Sequence, residues 1–278
     1  MSRPEHISPP ELFYDLKEAA KYNSSSRIIK VQEELSRRAI ELLNLPTDKE
    51  SFILDVGCGS GLSGLALQEA GHAWVGVDIS KSMLDIASER DSSGDVFLQD
   101  MGCGLPFRPG VFDGCISISA VQWLCYSDKK EHTARKRLTR FFSSLYMCLK
   151  RGSRAVLQLY PETPEQMEEI SSCAMRCGFS GGLVIDYPNS AKAKKFYLCL
   201  FAGYDAPQQV PKGLGAGENP SEVAFEARRK QLKQRRGKAR DSVKNKDWVL
   251  AKKDRYRKQG KNTKNDSKFT ARRRPAAF

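Results

Sequence analysis

Three carboxylates and a run of glycines stand at intervals that suit a ligand site. In ILDVGCGSG, Ile53 to Gly61, strand-forming residues end in Asp55, and glycines follow at 57, 59 and 61. Glycine lets a backbone turn sharply and lets a ligand approach with no Cβ in the way. Asp78 lies 21 residues after Gly57, where a ribose-hydroxyl acceptor is expected in a nucleotide-binding βαβ unit. Asp100 closes a third apolar run, DVFLQD. These features suit any nucleoside cofactor.

Charge narrows the choice. Gly59-Ser-Gly61-Leu-Ser-Gly64 satisfies G-x-G-x-x-G, a weak pattern usually read as binding NAD. Asp55 argues otherwise, because a carboxylate at the lip of the loop repels a pyrophosphate. S-adenosylmethionine has no phosphate and carries a sulfonium and an ammonium group, so the acid suits it.

Positioning these residues requires alternating elements. Helical spacing is expected in ELFYDLKEAAKY and in RIIKVQEELSRRAIELLNL, which Pro46 ends. Strand SFILD, helix LSGLALQEA, strand AWVGVD, helix KSMLDIASER capped by Ser80, and strand DVFLQD follow. Next come strand FDGCISIS, a short helix around VQWLCYS, a long helix from about Thr133 to Leu149, strand SRAVLQLY, and a helix opened by Thr163, Pro164 and Gln166. Strands GGLVIDY and KKFYLCLF leave little room for a helix between them. The fold class expected is α/β: a doubly wound, mainly parallel seven-stranded sheet ending in an antiparallel hairpin. Ligands in such sheets bind beyond the carboxyl ends of the strands, which places Asp55 to Gly61, Asp78, Asp100 and Ser117 to Trp123 along one rim.

The motifs carry a resemblance. ILDVGCGSG resembles the first motif of class I S-adenosylmethionine-dependent methyltransferases, a Rossmann-like family, and implies Asp55, Gly57, Cys58, Gly59 and Gly61 as cofactor residues. VGVDIS is similar to the second motif, with Asp78 on the ribose and Ile79 beside it. LQDMG is similar to the third, with Asp100 on the adenine amino group and Met101 next to it. Across nearly the whole chain, including SRPEHISPPELFYD, KYNSSSRII, ISISAVQWLCYSD, LYPETPEQ, GGLVIDYPNS, KKFYLCLFAG and the basic end, the sequence resembles the eukaryotic small-subunit ribosomal RNA (guanine-N(7)) methyltransferases. That resemblance implies methylation of one guanine in 18S rRNA of the pre-ribosome. It also implies a nuclear location, in nucleolus and nucleoplasm with the cytoplasm also open, and a small zinc-binding activator subunit as heterodimer partner.

Such a reaction requires no base. Guanine N7 already presents a lone pair, so catalysis reduces to holding it in line with the sulfonium methyl, and positioning of this kind is worth roughly 7 to 11 kcal/mol. Trp123 is a candidate to stack the guanine, Gln122 to bond its polar edge, and Ser119 to meet the cofactor's methionine end; a core tryptophan and two capping polar residues are the plainer readings. Tyr160 and Pro161 face the same rim, with Tyr14 and Tyr22 as weaker candidates. His6, His72 and His132 are too dispersed for a catalytic cluster and are expected to be solvated.

The chain has 278 residues, a mean hydropathy of −0.51 and a net charge of +13. From Arg228 to Phe278 there are 21 basic residues and four acids, a net +17, so the remainder stands at −4. The expected organisation is a helical cover over 1–50, a methyltransferase core over 51–209, a Gly/Pro-rich linker over 210–222, and a flexible, largely disordered basic tail over 223–278, with a short helix capped by Asn219, Pro220 and Glu222. The tail suits nuclear import or phosphate contacts to RNA. No apolar run approaches the roughly 20 residues of a membrane span, and the opening residues lack a secretion signal's pattern, so the chain reads as soluble and intracellular. Eight cysteines without paired spacing read as reduced, buried thiols; Cys173 and Cys177 lack further ligands, so no metal site is expected. A cofactor-binding assembly factor acting mainly as a scaffold, and a methyltransferase for another RNA or a small molecule, are the alternatives.

Overall fold

Seven apolar runs pair into one sheet of order β3-β2-β1-β4-β5-β7-β6 in a computed structural model of the chain. The structure describes residues 3–90, 93–126, 133–190, 192–203, 209–215, 246–258 and 263–266. The strands are β1 (Phe52–Val56), β2 (Ala73–Asp78), β3 (Asp95–Leu98), β4 (Phe112–Ile118), β5 (Leu149–Leu159), β6 (Phe179–Asp186) and β7 (Lys195–Ala202). Chain folding divides into two compact units, Met1–Ala216 and Gly217–Phe278.

Strands β1 to β5 run parallel, and β7 lies antiparallel between β5 and β6. The reason is the connection from Asp186 to Lys195, too short for the crossover that parallel strands need. Asp55 stands opposite Gly76 of β2 and Ile116 of β4, at the point where the strand order reverses. Ligand sites form there.

Helices cover both faces of the sheet. On one side Leu138, Phe141, Phe142 and Leu145 of α6 (Ala134–Cys148) meet Ile170 and Cys173 of α7 (Pro164–Arg176). On the other, Leu35, Ala39 and Leu42 of α3 (Ser26–Leu43) pack with Leu67 of α4 (Leu62–Glu69). α5 (Lys81–Ser88) starts where Ser80 Oγ accepts from Met83 N, as the sequence implies. Edge strand β3 differs from the buried centre: Phe97 is 50% and Leu98 60% exposed.

Three local expectations change. ELFYDLKEAAKY forms two helices, α1 (Pro10–Phe13) and α2 (Leu16–Ser24), because Asp15 Oδ1 accepts from Lys17 N and Glu18 N, both at 2.9 Å, and restarts the helix. α3 stops at Asn44, whose φ of 51° gives a left-handed end before Pro46 is reached. Of the thiols, Cys103 is exposed and Cys125 and Cys177 are half-buried; the other five are buried, and all eight are free.

The expected linker also needs correction over its first half. Residues 209–215 are fastened to the core by Asp186, which accepts from Arg38 Nε at 3.0 Å, Arg38 Nη2 at 3.2 Å and Leu214 N at 2.8 Å. Arg38 Nη2 also donates to Lys212 O, and Tyr187 N to Leu214 O. Gly213 lies so close to Ile185 O that a Cβ would overlap it. The glycines that mark a flexible linker in composition here allow a close approach. Removing Asp186 leaves Arg38 with only the exposed Glu41, at 2.8 Å, as an ionic partner, so Asp186→Ala is expected to destabilise the protein by about 3 kcal/mol. Urea unfolding measures this, and a loss below about 1 kcal/mol would remove the clasp from the account.

In the second unit, α8 (Lys246–Lys258) replaces the expected disorder over its length. Lys253 Nζ and Arg257 Nη2 donate to Asp266 at 2.7 and 2.6 Å, and Arg257 Nη1 donates to Asp254 at 2.8 Å. Paired acids relieve the like-charge repulsion that opposes a helix. The short helix expected after Asn219, and residues 216–222 of the linker, lie outside the described residues.

Candidate active site

The turn after β1 is held from below and open from above. Gly57 N and Cys58 N both donate to Val77 O, at 2.8 and 3.1 Å, fixing the turn to β2. Gly57 has φ 73°, and a Cβ there would overlap that of Ala120. Gly59 N donates to Asp78 Oδ2 at 2.9 Å, while Ser80 N donates to Oδ1 at 2.8 Å. Asp78 thus ties the glycine turn to the start of α5. Burial pushes its carboxyl above the usual range, against the stabilising N–H groups of Ser80, Gly59 and Ile79.

Above the turn lies a cavity of about 440 Å³. The structure brings Gly57, Gly59, Asp78, Ile79, Asp100, Met101, Ser119, Gln122, Trp123 and Tyr160 to its wall, together with Tyr14 and Tyr22. Asp55, Cys58 and Gly61 do not line it. Cys58 turns its thiol toward Gly76, and Gly61 packs toward Ala87 at the head of α4.

Asp55 lies beneath the turn instead of at its lip, because Ser63 Oγ donates to its Oδ2 at 2.5 Å and draws the carboxylate inward. Its Oδ1 is buried with no partner among the described residues. Desolvation, opposed by the Ser63 bond and helped by the Asp78 charge, pushes its pKa up to about 7 from 3.8. A carboxyl raised on folding contributes stability fully below its unfolded pKa and loses it as pH rises through the folded one. Between about pH 4 and 7 the wild type should therefore lose on the order of 4 kcal/mol relative to Asp55→Asn. Denaturant unfolding across that window tests this; parallel curves for the two proteins would refute it.

Asp100, at the end of β3, accepts from Gly102 N at 2.8 Å and from Arg137 Nη2 at 2.7 Å. Gly102 has no room for a Cβ beside the Arg137 guanidinium. Sequence reasoning passed over Arg137 among the neighbouring bases of ARKRLTRFF. Helical phase holds the missed signal: Arg137 precedes buried Phe141 and Leu145 by one and two turns, so it occupies the core stripe.

The rim after β4 is equally constrained. Ser119 has φ 57°; its N donates to Gln158 O at 2.9 Å and its Oγ to Gln158 Oε1 at 2.7 Å. A 3-10 turn over Val121–Cys125 carries Gln122 and Trp123. Trp123 is buried with Phe13 and Tyr14 rings 6.0 Å away. Ser80 Oγ donates to Tyr14 O at 2.9 Å, so the segment before α2 is tied to the end of β2. Burial, then the Asp78 charge, pushes the Tyr14 phenol well above its ordinary range, and burial does the same for Tyr22. Neither serves as a base at neutral pH.

The sequence also gave no sign of Arg3 and Glu5. Arg3 donates from Nη1 to Tyr160 O at 2.9 Å and from Nη2 to Pro161 O at 3.2 Å, and Lys195 Nζ stands 3.2 Å from Tyr160 OH. His6 is exposed but its ring pairs with Glu162 at 3.0 Å, and His72 Nδ1 is buried without a described partner, which corrects the expectation of simply solvated rings. His132 lies outside the described residues. Among the described residues no cluster is arranged to hold a metal ion, and no helix is long and apolar enough to cross a membrane.

The cavity chemistry suits a cationic nucleoside. Glu5, Asp78 and Asp100 all line it, while its two guanidinium groups are engaged with Asp100 and with backbone carbonyls. A pyrophosphate would meet carboxylates, whereas ribose hydroxyls, an amino group and a sulfonium would meet acceptors. A family described as a methyltransferase domain matches residues 54–157, and one described as "Methyltransferase involved in Williams-Beuren syndrome" matches residues 200–276. With the doubly wound sheet, these findings define a class I S-adenosylmethionine-dependent methyltransferase. Three relatives narrow the class. The chain is 56% identical to the 18S rRNA (guanine-N(7))-methyltransferase of Mus musculus, over 99% of this chain and 98% of that one. It is 51% identical to a Dictyostelium discoideum protein named probable 18S rRNA (guanine-N(7))-methyltransferase, over 100% of both chains, and 47% identical to the Saccharomyces cerevisiae 18S rRNA (guanine(1575)-N(7))-methyltransferase, again over 100% of both. The chain belongs to the family of 18S rRNA (guanine-N(7))-methyltransferases.

Proposed function

We infer that this chain methylates N7 of a guanine in 18S rRNA during maturation of the small ribosomal subunit. The observation that carries the reading is identity of 56% over 99% of the chain to a protein of that activity. S-adenosylmethionine supplies an electrophilic methyl group when bound. Guanine N7 forms the new bond with its own lone pair, so the protein's task is to hold and orient two partners and to exclude water.

The residues on the cavity wall support the following roles in that reading. Asp78 would accept from the ribose hydroxyls while bracing the glycine turn, and Asp100, kept oriented by Arg137, would accept from the adenine amino group. Gly57, Gly59, Ile79 and Met101 would shape the walls, with Ser119 toward the methionine end. Asp55, Cys58 and Gly61 would act from behind, by supporting the turn. Trp123, Gln122 and Tyr160 would position the guanine.

A small zinc-binding activator as partner and a nucleolar and nucleoplasmic location belong to the same reading. The exposed Phe97 and Leu98 of edge strand β3 support a covering subunit, since an open apolar edge invites aggregation. The 21 bases after Ala227 support an electrostatic share in RNA affinity.

The test uses the chain co-produced with its activator, methyl-labelled S-adenosylmethionine, and small-subunit precursor particles from cells lacking this protein. One labelled 18S guanine, located by cleavage at N7-methylguanine and absent with Asp78→Lys, is the expected result. No label despite measurable cofactor binding would overturn the assignment.

A further inference from the structure

We propose that Glu5 reads the target base: its carboxylate, beside Gln122 and Trp123, accepts the N1–H and N2–H groups of the guanine whose N7 is methylated. The inference rests on the guanine reading above. Glu5 belongs to a 3-10 turn, Pro4–His6, and is 8% exposed on the cavity wall. A buried carboxylate ordinarily has a cationic partner. The described partner here is neutral: Gln122 Nε2, at 3.3 Å. The adjacent basic residues are turned away, Arg3 to the carbonyls of Tyr160 and Pro161, and the His6 ring to Glu162.

Gln122 supplies a second, independent sign. It is 3% exposed, lines the same cavity, and leaves its Oε1 buried with no partner among the described residues. A carboxylate whose described partner is neutral and a carboxamide with an unpartnered oxygen therefore share the cavity wall with the Trp123 indole. A cavity-wall carboxylate with no described cationic partner suits a flat ligand that offers adjacent N–H groups.

Guanine answers that description among the four bases. Its Watson–Crick edge offers two neighbouring donors, N1–H and the N2 amino group. Adenine and cytosine place a donor beside an acceptor, and uracil has one N–H flanked by carbonyls. Bases removed from a stack are held by stacking and read on this edge.

Charge gives a second advantage. As the N7 lone pair forms the bond to carbon, the carbon–sulfur bond breaks and its electron pair stays on sulfur; no proton moves, and positive charge passes to the base. A carboxylate against the far edge stabilises that charge as it develops, and does so more strongly in a water-poor cavity. Arg3 holds the turn that carries Glu5 against the end of β5, so the reading group arrives already oriented.

The experiment measures methyl transfer to reconstituted precursor particles carrying either guanine or inosine at the modified position. Inosine keeps N7 and N1–H and lacks the N2 amino group. Wild type, Glu5→Gln and Glu5→Asp are compared, with S-adenosylhomocysteine affinity and thermal unfolding followed in parallel. On guanine, Glu5→Gln should lower kcat/KM about 10- to 100-fold with cofactor affinity within about twofold, and Glu5→Asp should recover part of the loss. Inosine should cost the wild type about 10-fold but cost Glu5→Gln no more than about twofold, because the carboxylate that reads the amino group is already gone. Equal wild-type rates on both bases, or losses that simply multiply, would overturn the proposal. So would a cofactor affinity that falls with the rate, since the carboxylate would then serve the cofactor's cationic end. Wild type that labels neither particle overturns the guanine reading itself, a separate failure.

Discussion

Gly57→Ala should leave a folded protein that binds its cofactor far less tightly. The left-handed φ of 73° costs alanine about 1 kcal/mol on its own. The larger effect is steric: the new methyl overlaps the Ala120 Cβ, and the turn has nowhere to retreat because Gly57 N and Cys58 N are both bonded to Val77 O. Either the turn lifts into the cavity or the rim carrying Ser119 and Gln122 moves outward. Overpacking of this kind costs about 1 to 3 kcal/mol, and relieving it at the expense of the cavity should lower affinity for S-adenosylhomocysteine, by calorimetry, about 10- to 100-fold. The sheet below is untouched, and far-ultraviolet circular dichroism should match the wild type. Affinity within threefold of wild type would mean that the turn yields without consequence.

Replacing Asp78 by alanine should weaken cofactor binding about 100- to 10,000-fold, since each hydrogen bond to a charged acceptor is worth roughly 1.5 to 3 kcal/mol and at least two are lost. The carboxylate does two things at once. It faces the cavity at the end of β2, and it receives Gly59 N and Ser80 N from the two segments that flank the site. Asp78→Asn separates these, because a carboxamide keeps one accepting oxygen while its nitrogen cannot accept from a ribose hydroxyl or a backbone N–H. The expected order of affinity is wild type, then Asn, then Ala, with the asparagine variant's thermal stability nearer the wild type's. Equal affinities for the two variants would assign the whole effect to support of the turn.

The parallel sheet was legible because its central strands are buried on both faces and so appear as unbroken apolar runs, each ending in a turn and a helix. The antiparallel return of β7 was legible from the short connection that precedes it. Less visible was anything that depended on a partner distant in the chain. Asp15 splitting a helix is local, yet a strong apolar period across ELFYDLKEAAKY masked it. Arg137 and Glu5 acquire their places only when α6 and the first residues meet the rim, 37 residues from Asp100 in one case and 117 from Gln122 in the other. Composition misjudged 209–215 for the same reason, since Gly213 is indistinguishable in sequence from a linker glycine until Ile185 stands against it.

The placement of β7 between β5 and β6 has a consequence for synthesis. A chain leaves the ribosome amino end first, so β6 emerges before the one strand it pairs with. Until Lys195–Ala202 has followed, β5 keeps an open edge beside its buried Leu157 and Leu159, and β6 has no sheet to join. Arg38 likewise waits for Asp186 and then for Leu214. A nascent chain halted between 187 and 194 therefore holds a complete glycine turn and all three cavity carboxylates on a sheet that is not yet closed.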